Sequence, residues 1–358
     1  MSFTLRPETR AGRLLAYLGA LALGGYAALR SSPQIHAGEQ STRVRGASAS
    51  SVPIAATPNN NRLLVAASTD TTTLSPLAGA LPAAPHDPFG DVYKRGLVMT
   101  GTTPHRIVLF TFDDGPDPRN TPLLLDRLDE AGVKAVFFLV ASRIAATTPI
   151  EREQAAVARE IMRRGHLIGG HTFDHPQLPL LTSEQVESQL ARSDEIFQRV
   201  LGGQPRLFRP PFGAHSQRID QLISQRSDTI VLWNLGTGDF LVHSADEVYQ
   251  IWLKVFERRE RENGDRGGIV LLHDTQAWSV DAFQMIMSHL MTQNCELLAR
   301  GEELFDIVDD PSFFFVPRGD AAAEVEAPPA MLGPEVLEAR QAELRSSTRR
   351  RCQSLASN

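Results

Sequence analysis

The residues best placed to do chemistry begin with two adjacent carboxylates, Asp113 and Asp114, in the run Thr111-Phe112-Asp113-Asp114-Gly115-Pro116. Gly-Pro turns the backbone sharply just after them, so the two side chains can point differently. One can then ligate a metal while its neighbour stays free as a base. Taken alone, such a motif is more often a turn carrying a solvated acidic pair. Further along, His171 and His175 stand four apart in His171-Thr172-Phe173-Asp174-His175-Pro176. That spacing can bring two imidazoles to one side of a helical turn. Pro176 keeps the turn from continuing as a helix, which makes this a loop site and not the helical metalloprotease pattern, whose Glu is also missing. With Asp114, His171 and His175 as three protein ligands and no Cys among them, the natural occupant is one zinc-like divalent ion with positions open for water and substrate.

Three further segments add groups that are weak singly. In Arg209-Pro210-Pro211-Phe212-Gly213 two prolines stiffen the loop and can fix the aim of the amides that follow, although a rigid connector reads the same way. Trp233-Asn234-Leu235-Gly236-Thr237-Gly238-Asp239-Phe240 offers an acidic residue among aromatics. Ile269-Val270-Leu271-Leu272-His273-Asp274-Thr275 puts His273 at the tip of a very apolar run, where a lone His is usually structural. The combination outweighs the bland readings, because a base, metal ligands, an amide donor and a second titrating His follow separate strands of one array.

Those strands must come from an alternating β/α pattern. Short apolar runs at Ile107–Thr111, Val136–Val140, Leu167–Gly169, Leu207–Phe208, Ile230–Trp233 and Ile269–Leu272 read as strands. Between them, helices are expected over Pro122–Ala131, capped by Asn120 or Thr121 and stopped by Gly132, and over Glu151–Arg164. Thr182 with Gln185 makes a capping box for a helix to Leu201, closed by Gly202, and Ser244 with Glu247 opens another to Glu262. Gln217–Gln225 and Gln284–Met291 complete the set. The order demands parallel strands with helical crossovers. A closed barrel is preferred to an open doubly wound sheet, because the polar motifs follow one strand after another, as at the C-terminal face of a barrel.

The rest of the chain bounds the class. Of 358 residues, 42% are hydrophobic and 22% charged, enough for a large core. The 36 Lys and Arg against 42 Asp and Glu give a net charge of -6, so no basic field exists for nucleic acid, which is excluded as an expected partner. Arg6, Arg10 and Arg13 precede an uncharged, mostly apolar stretch from Leu14 to Leu29 closed by Arg30, the pattern of a signal peptide or membrane anchor over residues 1–37. As a helix the stretch covers roughly 24 Å, short of a roughly 30 Å bilayer core. Arg30 stands where a cleavage region should be small and neutral, which tilts the reading toward an anchor. Residues 38–87, rich in Ala, Ser, Thr, Pro and Asn, read as a disordered linker. A folded domain is expected over 88–317 and a polar tail over 318–358, with a short helix within Glu335–Arg345. The two cysteines, Cys295 and Cys352, form no framework, and their pairing is left open.

The series TFDDGP, HTFDHP, RPPFG, WNLGTGDF and LLHDT resembles the NodB-homology polysaccharide deacetylases, carbohydrate esterase family 4, over Ile107 to Val308. The resemblance implies a distorted (β/α) barrel of seven or eight strands. Residue by residue, it implies Asp113 as general base, Asp114, His171 and His175 as metal triad, and Arg209 as the arginine that orients the base. It further implies the Phe212 N–H as oxyanion donor, His273 as general acid, Asp239 as the carboxylate that keeps His273 charged, and Leu271 as a wall of the acetyl pocket. Gly236 stands where many members carry Asp, Phe240 where Trp is usual, and Phe212 where Tyr is commoner. The first two bear on glycan specificity more than on catalysis, since neither position is a ligand or a proton carrier.

The expected protein is therefore an exported, monomeric N-deacetylase of an acetylated polysaccharide, whether periplasmic, envelope-anchored or secreted. It would use one divalent ion, zinc first and cobalt, nickel or manganese as substitutes. An O-acetyl esterase on xylan or another ester-bearing glycan is the alternative on the same scaffold. A non-catalytic glycan-binding barrel is disfavoured because every position the chemistry needs is filled, and a metal-dependent phosphatase because the multiple Arg or Lys of a phosphate clamp are missing.

Overall fold

A computed structural model of the chain describes residues 87–90, 93, 96–314 and 333–356. The expected leader, and the expected linker apart from residue 87, lie outside the described residues. No helix among those described is long and apolar enough to cross a membrane.

Nine strands alternate with helices in the described residues. In chain order they are β1 (Val98–Met99), β2 (Ile107–Asp113), α1 (Asn120–Ala131), β3 (Val136–Leu139), α2 (Pro149–Arg163), β4 (Leu167–Gly170) and α3 (Ser183–Leu201). There follow β5 (Leu207–Phe208), α4 (Gln217–Gln225), β6 (Thr229–Val231), β7 (Leu235–Gly236), α5 (Ala245–Asn263), β8 (Gly268–His273), α6 (Ala277–Arg300), β9 (Asp306–Ile307) and α7 (Pro334–Ala356). All strand pairs are parallel, in the order β1-β6-β5-β4-β3-β2-β8-β7, with β9 on the start of β2. The path holds eight strands, as expected of the distorted (β/α) barrel. The distortion is a seam: among the described residues no ladder joins β1 to β7.

The two-residue strand period places the site. Leu109, Val136, Phe138, Leu167, Leu207, Val231 and Ile269, from six different strands, form one apolar cluster and so share the inner face of the curved sheet. Stepping by two from these positions toward the strand ends gives Thr111 and Asp113, Gly169 and His171, Arg209, and Leu271 and His273 on the same face. The apolar floor thus turns polar within two steps, all at one end. Gly169 keeps the interior free at that level, since a Cβ there would stand 2.3 Å from the Phe138 ring. The opposite face, with Phe110 and Phe112, packs on the helices, Phe110 lying edge-on to Phe283 of α6 at 4.9 Å.

Helix boundaries follow local chemistry. α3 runs as expected, with Thr182 and Gln185 completing the capping box and Gly202 closing it at φ 86°. α1 starts two residues earlier than expected: neither Asn120 nor Thr121 is its cap, and Asp117 accepts from the N–H groups of Arg119 and Asn120 at 2.9 Å each. The short helix expected in the tail is instead the 23-residue α7, docked against the domain. Arg340 donates to both carboxylate oxygens of Asp306 at 2.6 and 2.9 Å, and the Gln341 amide pairs with the main chain of Leu304 at 2.8 and 2.9 Å. Cys352 is bonded to Cys295 of α6, which closes the question of their pairing.

Candidate active site

Ladder register brings the ends of β2 and β8 together, with Asp113 directly opposite His273. Asp113 is buried, and its Oδ1 accepts from Arg209 Nη1 at 2.7 Å. Arg209 is itself fully buried and donates from all three nitrogens: Nη1 also to Thr111 Oγ1 at 2.7 Å, Nε to the Val231 carbonyl at 2.8 Å, and Nη2 to the Leu232 carbonyl at 3.3 Å. Its guanidinium lies 4.1 Å over the Phe138 ring. Thr111 in turn donates to the Val270 carbonyl at 2.7 Å. A charge this deep is tolerable only when paired and hydrogen-bonded throughout.

Asp114 follows with φ 70°, a left-handed conformation that turns its carboxylate away from that of Asp113. Its Oδ1 is buried without a hydrogen-bond partner, and the Nε2 atoms of His171 and His175 converge on it at 3.4 and 3.1 Å. His171 Nδ1 can only donate to the carbonyl it meets, that of Arg209 at 2.7 Å, so Nε2 presents its lone pair to the same space. Burial alone would raise the Asp114 carboxyl, but without a cation the protonated forms of His171 and His175, and the charge of His273, outweigh it and hold the group well below the usual carboxylate range. An orphaned buried oxygen facing two imidazole nitrogens, all three donor atoms within 4.8 Å of one another, fits a divalent cation.

The loop that carries the two histidines is strained to do so. Thr172 and His175 have φ 67° and 66°, the Thr172 hydroxyl accepts from the His175 N–H at 3.0 Å, and Gln189 Oε1 accepts from the N–H groups of Phe173 and Asp174 at 3.2 Å. Phe212 is the fourth left-handed residue here, with φ 62° and its side chain 62% exposed, edge-on to the His175 ring at 4.6 Å. Four such residues, none of them Gly, cost on the order of 1–3 kcal/mol each and gather where function needs them.

On the other side, Asp239 is fully buried after β7, and its Oδ1 accepts from His273 Nδ1 at 2.8 Å. His273 Nε2 therefore faces the cluster, 4.0 Å from Asp114 Oδ2. Burial would lower the imidazole, but the charge and hydrogen bond of Asp239, helped by Asp113 and Asp114, lift it to about 9. Leu271 is buried two residues below on the same face, opposite Thr111 on β2 and Gly236 on β7. Phe240 is 45% exposed and edge-on to His273 at 5.7 Å. Asp113, Asp114, His171, His175, Arg209, Asp239 and His273 are thus gathered at one barrel mouth.

Several neighbours had no sequence signal. Thr111 was legible only as lying two residues before Asp113. Ser279 and Trp278, which hold Asp239, are about 40 residues from it in the chain. Asp274 is buried with Oδ2 accepting from Thr121 Oγ1 at 2.5 Å, and burial pushes its carboxyl up to about 7. Its oxygens sit where a Cβ on Gly115 would be, 2.2 and 2.3 Å away, so only glycine fits that turn.

The family model described as polysaccharide deacetylase matches residues 100–227. A peptidoglycan-N-acetylglucosamine deacetylase of Bacillus cereus is 31% identical over 215 residues, 59% of this chain and 73% of that protein. The chain belongs to the polysaccharide deacetylase family. Chitin deacetylase 1 of Cryptococcus neoformans, another relative, is 33% identical over 184 residues, 48% of this chain but only 37% of its own length. Among solved structures, a peptidoglycan N-acetylglucosamine deacetylase bound to 4-naphthalen-1-yl-N-oxidanyl-benzamide is 29% identical with a TM-score of 0.49, covering 63% of this chain and 96% of that one. The chitin deacetylase of the fungal pathogen Colletotrichum lindemuthianum gives 26% and 0.49, covering 60% and 89%.

Proposed function

We propose that this chain hydrolyses the N-acetyl groups of GlcNAc-type residues in a polysaccharide such as peptidoglycan, a chitin-like chain or an exopolysaccharide, releasing acetate and leaving a free amine. The observation that carries this reading is the pair of dyads beside the Asp114, His171 and His175 cluster. Arg209 donates to Asp113 and fixes its aim, and Asp239 keeps His273 protonated at neutral pH. A fixed base and a charged acid at one cavity are what amide hydrolysis requires.

Asp114, His171 and His175 would hold one divalent ion, zinc by the chemistry of two imidazoles and one carboxylate. Once bound, such an ion polarises the acetyl carbonyl and acidifies the attacking water. Asp113 takes the proton of that water, with Arg209 keeping its free oxygen aimed inward. The Phe212 N–H, fixed behind two prolines, donates to the oxygen on which negative charge develops, a contribution of roughly 2.7–4 kcal/mol. Leu271 walls the space for the acetyl methyl. His273 then delivers a proton from Nε2 to the departing nitrogen. An ester oxygen can leave without that proton, so the charged His273 favours the amide over the O-acetyl alternative. The names of the B. cereus and C. neoformans relatives point the same way.

The Cys295–Cys352 bond suits an oxidising compartment, and with the arginine-flanked apolar stretch before residue 30 it supports an exported, tethered protein whose domain begins after the linker. The test is acetate release from N-acetylated glucosamine oligomers and from O-acetylated xylan, side by side. A marked preference for the amide is expected, and release from xylan alone would overturn the reading.

A further inference from the structure

Asp239 is gripped by the first turn of α6. Its Oδ2 accepts from the His273 main-chain N–H at 2.7 Å and from the Ser279 hydroxyl at 2.6 Å, while Oδ1 takes His273 Nδ1–H at 2.8 Å. The Asp239 main-chain carbonyl separately accepts from the Trp278 indole N–H at 2.7 Å. Asp239 and Ser279 are both fully buried, so water cannot readily take the place of the hydroxyl.

We propose that Ser279 is a positioning residue for the proton donor: its hydroxyl locks the Asp239 carboxylate in the one orientation that serves both His273 hydrogen bonds. The inference rests on the reading of His273 as the acid of amide hydrolysis. Two of the three donors to the carboxylate belong to His273 itself, so Ser279 supplies the only independent restraint among them. Without it, a buried carboxylate oxygen keeps a single main-chain donor, and the imidazole whose tautomer and aim depend on that carboxylate is free to tilt. Because Trp278 fixes the loop through the main chain, replacing Ser279 by Ala loosens the carboxylate and leaves the loop in place.

A positioning role for the acid is separable from a structural one by the leaving group. 4-Nitrophenyl acetate expels a phenolate that needs no proton, whereas the sugar amine must receive one. Ser279→Ala is expected to lower kcat for acetate release from an N-acetylglucosamine oligomer roughly 10- to 100-fold, the usual worth of a hydrogen bond to a charged group, with KM little changed and the aryl ester rate retained. Ser279→Thr, which keeps the hydroxyl, restores the amide rate. In an Asp239→Asn background Ser279→Ala has no further effect, since both act through one group. Equal losses on amide and ester, or additive losses in the double variant, would overturn the proposal, as would an unchanged amide rate in Ser279→Ala. Failure of the unaltered protein to release acetate from the oligomer, with the ester still cleaved, would instead sink the deacetylase reading.

Discussion

Replacing Asp239 by Asn tests the electrostatics of the acid without changing its shape. Asn retains one oxygen to accept from His273 Nδ1 but carries no charge, and its NH2 replaces the oxygen that accepted from the His273 main-chain N–H. In the native site burial pushes His273 down and Asp239 is the largest influence raising it, to about 9. A bound cation cancels the smaller pull of Asp113 and Asp114 and leaves that of Asp239. With the charge gone, burial prevails and the imidazole falls below its ordinary value of 6.5. At pH 7.5 a group titrating at about 9 is roughly 97% protonated and one at 6.5 roughly 9%, so a loss of kcat on the order of tenfold is expected from protonation alone. The assay is acetate release from a saturating N-acetylglucosamine oligomer between pH 5 and 10. The alkaline limb of kcat should move from above neutrality to below pH 6.5, with part of the activity recovered at the acid end. The sign is the same for stability: a raised His273 stabilises the native state fully below about pH 6.5 and loses that contribution as pH rises through about 9, and Asp239→Asn abolishes this fade. An alkaline limb unmoved by the substitution would refute the assignment of His273 and Asp239 as the proton donor.

Two further outcomes follow from the buried charges and the strapped helix. Arg209→Met leaves Asp113 buried without its partner and should cost roughly 3–5 kcal/mol, a fall in melting temperature on the order of 10 °C, together with loss of acetate release; differential scanning calorimetry and the acetate assay read both. Cys352→Ser opens a bond between residues 57 apart in sequence and should destabilise by about 4 kcal/mol in denaturant titration. The acetate rate should survive it at 25 °C, because α7 docks on β9 and α6 and supplies no site residue.

Much of this architecture can be read from residue order. The β/α alternation, the capping box at Thr182 and the glycine stop at Gly202 are local signals, and the structure follows them. The site could be anticipated because its groups sit at strand ends on one parity, where the polar motifs interrupt apolar runs. Elements governed by distant partners could not. β1, β7 and β9 have two residues each and exist only through the neighbours they pair with. α6 was legible only over its middle, because its first turn is tied to Asp239 and the apolar Met285, Met291 and Leu298 lie half-buried outside the face formed by Phe283, Ile286, Leu290 and Asn294, which blurs the amphipathic period. At the start of α1, Thr121 donates to Asp274, the cap position falls on Arg119 with no side-chain cap, and Asp117 just before it accepts from the first N–H groups. The grip of Ser279 on Asp239 and of Thr111 on Arg209 arises from tertiary proximity that no spacing encodes.

In the proposed reaction Asp113 and His273 hydrolyse an acetamide to acetate and amine beside one cation that Asp114, His171 and His175 would hold. The most direct test of that reaction is acetate and free amine measured together from an N-acetylglucosamine polymer, with the protein stripped by chelator and then reloaded with zinc, cobalt, nickel or manganese. Equimolar products that vanish on stripping and return on reloading are predicted. Products formed at the same rate by the stripped protein, or none under any loading, would contradict it.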